Sequence, residues 1–229
     1  MGAPSAAPKK GHREPAGCER SPASAHRMGI DIASVQKVRK VALLLAIGII
    51  GILIVVSAPR WSAPVEVAIQ WCGRAMLFIC IAGRTWCTLY IGGRKVSELV
   101  TVGPYSVSRN PLYVFSIVGA VGAAVQVGAL SVGLAAGVLA WIVHFLVVMR
   151  EERLLLVSHG EAFRSYAAQV PRFLPRLSGW KDVDLLEVRP HQVVVTFLDA
   201  CFFLSAIPLA ATVEHLQRAG LIPVLLRLF

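Results

Sequence analysis

The run VALLLAIGIIGILIVVSAP, Val41 to Pro59, contains no charged side chain. A helix of roughly 20 apolar residues is what crossing the hydrocarbon of a bilayer requires, so the run reads as a transmembrane helix at about 41–58. Further runs follow. The spacing predicts helices at about 65–90 (interrupted by Arg74 and Arg84), 111–127, 131–149 and 193–213. The last apolar piece, 219–229, contains Pro223 and is too short to span, which fits an interfacial or re-entrant segment. Only 16% of the 229 residues are charged, against about 25% in soluble domains. The expected fold is therefore an all-α integral membrane bundle with about five transmembrane helices.

Some 40 residues precede the first apolar run, which argues against a secretory signal followed by a soluble body. Ala6 stands where a myristoylation motif needs Ser or Thr. Residues 1–37 are rich in Pro, Ala, Ser and basic residues without hydrophobic periodicity, and are expected to be a disordered basic tail. Residues 38–229 then form the membrane domain. The five cysteines include no C-x-x-C pair, and no His cluster lies near them. Neither a disulfide framework nor a metal site is expected.

Lysine and arginine placement predicts orientation. The tail and the next basic residues carry eight of them, the connector after the second segment three (Arg94, Lys95, Arg109), and residues 150–192 seven, together 18 of the 23. With five alternating helices, all these stretches fall on one side, the cytoplasmic one. The location expected is a multi-pass membrane protein with a cytoplasmic N-terminus, in a bacterial inner membrane or, in a eukaryote, the endoplasmic reticulum. The net charge of +10 then reflects topology and anionic lipid headgroups. The dispersed, juxtamembrane basic residues do not make a nucleic-acid motif.

The third and fourth segments, joined by VGALS, are expected to form a tight hairpin. Gly133 and Gly137 make a G-x-x-x-G, with Gly119 and Ala123 as small partners on the other helix. At its mouth lie two unusual stretches. In VTVGPYSVSRNPLY, Pro111 suits the first position of a helix, and Asn110 then sits at the N-cap, where its side chain can accept a backbone N–H. The free N–H groups there favour a carboxylate. In MREERLLLVSHGEAFRSYAAQVPRFLP, Glu151 and Glu152 are expected at the C-terminal end of the fourth helix, where the macrodipole disfavours negative charge. Arg150 and Arg153, or a cationic ligand, would compensate. An anion site and a cation site, with Tyr105 and Tyr113 between them, suit a zwitterionic molecule that also carries an aromatic group and a positive charge. S-adenosylmethionine is one.

These stretches resemble the isoprenylcysteine carboxyl methyltransferase family and its relatives among the membrane phospholipid N-methyltransferases. The pattern is carried by Leu99, Val100, Gly103, Tyr105, Arg109, Pro111, Tyr113, Glu151, Glu152, Gly160, Phe163, Tyr166, Val170 and Pro171, within about residues 97–175. The resemblance implies an integral membrane methyltransferase that uses S-adenosylmethionine and a lipophilic acceptor bearing a thiol, carboxylate or amine, with membrane lipids, and neither nucleic acid nor metal, as its surroundings. By motif position, Ser97, Glu98, Leu99, Val100, Tyr105, Asn110, Pro111, Leu112, Tyr113 and Glu151 line the cofactor pocket, and Arg150 and Glu152 are substrate contacts. No catalytic residue is assigned. Asn110 replaces the usual His. Val147 stands where the prenylcysteine enzymes carry a substrate arginine, which argues against a prenylcysteine carboxylate here.

The rival class is a non-catalytic transporter or sensor subunit that keeps the fold, with Arg74 and Arg84 marking a coupling path. His144, on the same stripe as Glu151, is expected to be a packing residue. The orientation has a direct test. A cysteine introduced beside Lys95 is expected to react in intact cells only with a membrane-permeant reagent; labelling by an impermeant one would reverse the topology.

Overall fold

In lipid a helix satisfies its own backbone polar groups, and the apolar runs of this chain accordingly fold as helices. A computed structural model describes residues 41, 44, 45, 47–92 and 98–229; the tail 1–37, Arg94, Lys95 and Ser97 lie outside them. In chain order the elements are α1 (Ile47–Val56), β1 (Ser57–Pro59), α2 (Ala63–Ile91), α3 (Pro104–Val107) and α4 (Pro111–Ala124). They continue with α5 (Leu130–Gln169), α6 (Pro190–Cys201), α7 (Ala206–Arg218) and β2 (Leu226–Leu228).

Among the described residues three stretches are long and apolar enough to cross a membrane: α2, α5 and Pro190–Arg218, which holds α6 and α7. α1 and the stretch Pro111–Val127 are shorter apolar helices at the first and third expected positions. Between α6 and α7 the helix tightens into a 3-10 turn, Phe202–Ser205. Pro208 follows it in the first turn of α7. Its ring cannot donate a hydrogen bond and crowds the carbonyl four residues back.

The bundle is organised around α4, which lies between α2 and α5. Gly73 of α2 meets Gly122 of α4 backbone to backbone: a Cβ on Gly122 would stand 2.7 Å from the Gly73 carbonyl oxygen and 2.9 Å from Met76 Cβ. Small residues permit such approach in lipid, where packing rather than a hydrophobic force joins helices. Buried Gln126 strengthens the contact. Its amide donates to Gly122 O at 2.8 Å and to Gln70 O at 3.4 Å. On the other side of α4, Gly133 faces Val125, and a Cβ on Gly137 would lie 2.9 Å from Val121 Cγ2. The expected partner of the G-x-x-x-G is thereby corrected. Gly119 does not face α5; it packs on Cys80 of α2. The small face of α4 is used where α2 also offers a glycine, and α5 takes the valine face.

Two further expectations change. The fourth helix was expected to stop near 149, placing Glu151 and Glu152 at a C-terminus. Instead α5 continues through both glutamates and breaks at Gly160, with φ 52° and ψ −120°. The macrodipole acts only within the last turn, so it leaves this pair unaffected. The chain's last segment ends in a strand: β2 pairs in parallel with β1, Ser57 opposite Leu226. The Phe229 carbonyl accepts from Ser131 N at 2.6 Å and Ser131 Oγ at 2.7 Å, which ties this end to the start of α5.

Gly122→Ala is expected to weaken the α2–α4 contact, because the added methyl meets backbone that cannot swing aside. Overpacking of this kind costs about 1–3 kcal/mol. The measurement is the apparent melting temperature in detergent, which should fall for Gly122→Ala. Gly51→Ala, where a Cβ meets nothing within 4 Å, should leave it unchanged.

Candidate active site

The connector between α2 and α4 is held by three hydrogen-bonded anchors to the segment that follows α5. Gly103 N donates to Lys181 O at 2.7 Å, Arg109 N to Pro171 O at 2.9 Å, and Arg176 N to Val107 O at 2.9 Å. Gly103 has φ 58°, and a Cβ there would run into the Tyr90 ring, so only glycine fits this turn. The turn starts α3 and buries Tyr105, whose carbonyl accepts the Tyr166 hydroxyl at 2.7 Å. Loss of solvent pushes the Tyr105 phenol well above its usual pKa, with smaller contributions from Cys87, Tyr166 and nearby groups.

Glu152 closes the arrangement. Arg172 grips its carboxylate from Nε and Nη2 at 3.2 and 2.9 Å, and Arg109 Nη1 lies 3.3 Å from Oε1. The Asn110 amide donates to Arg172 O at 3.2 Å and reaches Glu152 Oε1 at 3.5 Å. Asn110 does occupy the N-cap position of α4, with Pro111 next, but makes no side-chain cap. The contacts its side chain does make are donated by Nδ2, not accepted at Oδ1 as a helix cap requires.

Glu151, one residue earlier and about 100° around the helix, turns to α4. Its Oε1 accepts the Tyr113 hydroxyl at 2.8 Å. Behind Tyr113 lies His144, ring centroids 5.0 Å apart, with His144 Nδ1 2.7 Å from Ala140 O. A carbonyl only accepts, so Nδ1 carries the proton in this contact. Tyr113 also packs in a buried cluster with Val147, Val148 and Phe173.

Between the connector and α5 these groups line one cleft. Of the residues expected there, Glu98, Leu99, Val100, Tyr105, Asn110, Leu112, Tyr113 and Glu151 form its walls. Pro111 is buried as the first residue of α4 and does not line it. Ser97 lies outside the described residues. Of the two expected substrate contacts, Glu152 lines the cleft with its oxygens engaged by arginine, whereas Arg150 is exposed and does not. Ile91, Arg109, Leu155 and Tyr166 also line it. Arg109 and Tyr166 were legible as motif residues, but nothing local in the sequence signals the cleft role of Ile91 or Leu155. In chemistry the walls fit S-adenosylmethionine: the Glu98 and Glu151 carboxylates suit positive charge, and the aliphatic side chains suit an adenine. In size the cleft is nearly shut, about 40 Å³, space for a few waters at most.

Comparison with known proteins adds the family. The nickel-cobalt-cadmium resistance protein NccN of Alcaligenes xylosoxydans xylosoxydans is 32% identical over 178 residues, which are 77% of this chain and 83% of the relative. The cobalt-zinc-cadmium resistance protein CzcN of Cupriavidus metallidurans is 32% identical over 162 residues, 71% of this chain and 73% of the relative. This chain belongs to the family of NccN and CzcN. Residues 67–162 match the phospholipid methyltransferase family, and the chain thus carries a membrane-embedded, S-adenosylmethionine-dependent methyltransferase domain. That family is related to the isoprenylcysteine carboxyl methyltransferases but distinct from them. The match contains Tyr113, Glu151 and Glu152 and stops before Phe163. No solved structure matches. The chain is an enzyme of this type, whereas the rival reading of a transporter or sensor relies on Arg74 and Arg84 as a coupling path. Arg84, which that reading required, donates to Ser116 Oγ at 2.5 Å and pairs with Asp199, joining α2, α4 and α6.

Glu152→Gln is expected to loosen the site, because two partly buried guanidinium groups lose their shared anion. Breaking one side of a buried pair costs about 3–5 kcal/mol. Trypsin should cut after Arg172 and Arg176 much faster in the variant, and its apparent melting temperature should fall. Unchanged cleavage would show that Glu152 does not hold this segment.

Proposed function

We propose that the protein transfers a methyl group from S-adenosylmethionine to a lipophilic acceptor that reaches the cleft from the bilayer, with the cofactor held between the connector and α5. The observation that carries this reading is the Tyr113–Glu151 hydrogen bond at the cleft wall. It holds a carboxylate beside an apolar space, where a cation is strongly favoured. The bound cofactor supplies a methyl group on a positively charged sulfur. The side chains supply placement. Tyr113 orients the Glu151 carboxylate, Glu98 adds negative charge, Leu99, Val100, Leu112 and Leu155 exclude water, and the Glu152–arginine cluster holds the connector against α5. Catalysis by such a site rests on positioning and on a dry environment. Ser97 and Pro111 join the proposed cofactor set by motif position, and Arg150 stays a substrate contact only if the acceptor approaches from its exposed side.

The acceptor in this reading is a membrane-soluble thiol, acid or amine other than a prenylcysteine carboxylate. Val147 is buried against Tyr113 and Phe173, so the position supplies no cation to a carboxylate entering low dielectric. The tail and basic connectors face the cytoplasm, which puts the cleft at the cytoplasmic boundary. The names of the relatives add a setting. The proposal includes methylation of a membrane component in cells exposed to nickel, cobalt, cadmium or zinc.

Glu151→Gln tests the reading, since it keeps the shape and removes the charge. A charge-assisted contact is worth about 1.5–3 kcal/mol, or roughly 10- to 100-fold in affinity. Calorimetric titration of the purified protein in detergent with S-adenosylmethionine should show a loss of that size. Equal affinities in parent and variant would make Glu151 a surface charge only.

A further inference from the structure

On the far side of Tyr166 from the cofactor cleft lies a second, larger cavity of about 380 Å³, within the size range of small-molecule sites. Its wall includes two exposed cations, Arg176 and Lys181, with Thr101, Ser178 and Gln169 as further polar residues; Tyr166 is shared with the first cleft. No carboxylate lines it. Among the described residues neither cation forms an ion pair. The nearest acidic residue in sequence, Asp182, is engaged by the Tyr90 hydroxyl at 3.1 Å and by Val183 N at 2.9 Å.

Both cations stand on pinned backbone. Lys181 N donates to Ser106 Oγ at 3.0 Å and Lys181 O accepts from Gly103 N at 2.7 Å. Arg176 N donates to Val107 O at 2.9 Å. Guanidinium, ammonium, hydroxyl and amide donors together are the set that recognises phosphate oxygens. Fixing the backbone in advance removes part of the ordering cost of binding.

We propose that this cavity is a second binding site, for a phosphate-bearing anion, built by Arg176 and Lys181 and backing onto the cofactor cleft through Tyr166. The phosphate comes either from the headgroup of an anionic phospholipid or from a free phosphate compound. The site is independent of the methyl-transfer reading, because none of its donors takes part in that chemistry.

Two probes separate the sources. Inorganic phosphate and short-chain dihexanoyl phosphatidic acid are titrated calorimetrically into the full-length protein in a neutral detergent. The double variant Arg176→Gln/Lys181→Gln is expected to bind at least tenfold more weakly, with an unchanged melting temperature. Arg164→Gln, whose side chain is exposed and paired with Glu161, controls for general loss of charge and should bind as the parent does. Binding of both probes assigns the site to any accessible phosphate; binding of the lipid alone assigns it to a headgroup held with its chains. Absence of binding by either probe, or equal affinity in parent and double variant, overturns the proposal. So does an equal loss in Arg164→Gln, which would reduce the effect to net charge. S-adenosylmethionine affinity, measured on the same preparations, shows whether the first cleft is intact in the double variant.

Discussion

A single carboxylate, Glu152, holds three separated parts of this protein together. Arg109 comes from the connector before α4, Arg172 from the segment after α5, and Glu152 from α5 itself. Both glutamate oxygens are used, and the Asn110 amide closes the remaining side. With the Glu152 side chain 12% exposed, the charge is tolerable only because two guanidinium groups compensate it. The cleft depends on this cluster, since one of its walls is the connector and the opposite wall is α5.

The membrane shapes the rest. Apolar surface gains little from meeting other apolar surface in lipid, so helix pairs are chosen by how closely backbones approach. Gly73 and Gly122 make that choice for α2 and α4, and Gly133 and Gly137 admit the valines of α4 to α5. Charged groups inside the apolar stretches are handled locally. Arg84 finds Ser116 and Asp199, and Arg74 lies over the Trp71 ring at 4.6 Å. The apolar scaffold thus sets the positions of α2, α4 and α5, and the polar groups of the cleft come from Tyr113 on α4, Glu151 and Glu152 on α5 and the loops beside them.

Adjacent glutamates have separate tasks because a helix turns them apart. Glu151 looks across at Tyr113 on α4, and Glu152 looks at the arginines. The match of residues 67–162 to the phospholipid methyltransferase family carries the methyltransferase reading; these contacts bring the polar residues of α4, α5 and the connector to one cleft. Tyr166 lines two spaces of different character, one with Glu98, Glu151, Glu152 and Arg109 on its walls and the other with Arg176 and Lys181.

Hydropathy and residue period are local properties, and they determined the positions of the apolar helices; the motif residues that line the cleft were legible through the family resemblance. The helix start was equally legible, since Pro111 begins α4; the turn that Gly103 makes before α3 appears only in the structure. What the sequence left open were choices among competing non-local partners. Asn110 had the helix end available and took Arg172 O instead. α5 ran on past the glutamates because nothing before Gly160 stops it and the cations that stabilise the pair arrive from elsewhere. Gly119 turned to α2 rather than α5, and residues 226–228 found a strand partner at Ser57–Pro59. Each of these depends on distances set only when segments far apart in the chain meet, and only the tertiary structure decides them.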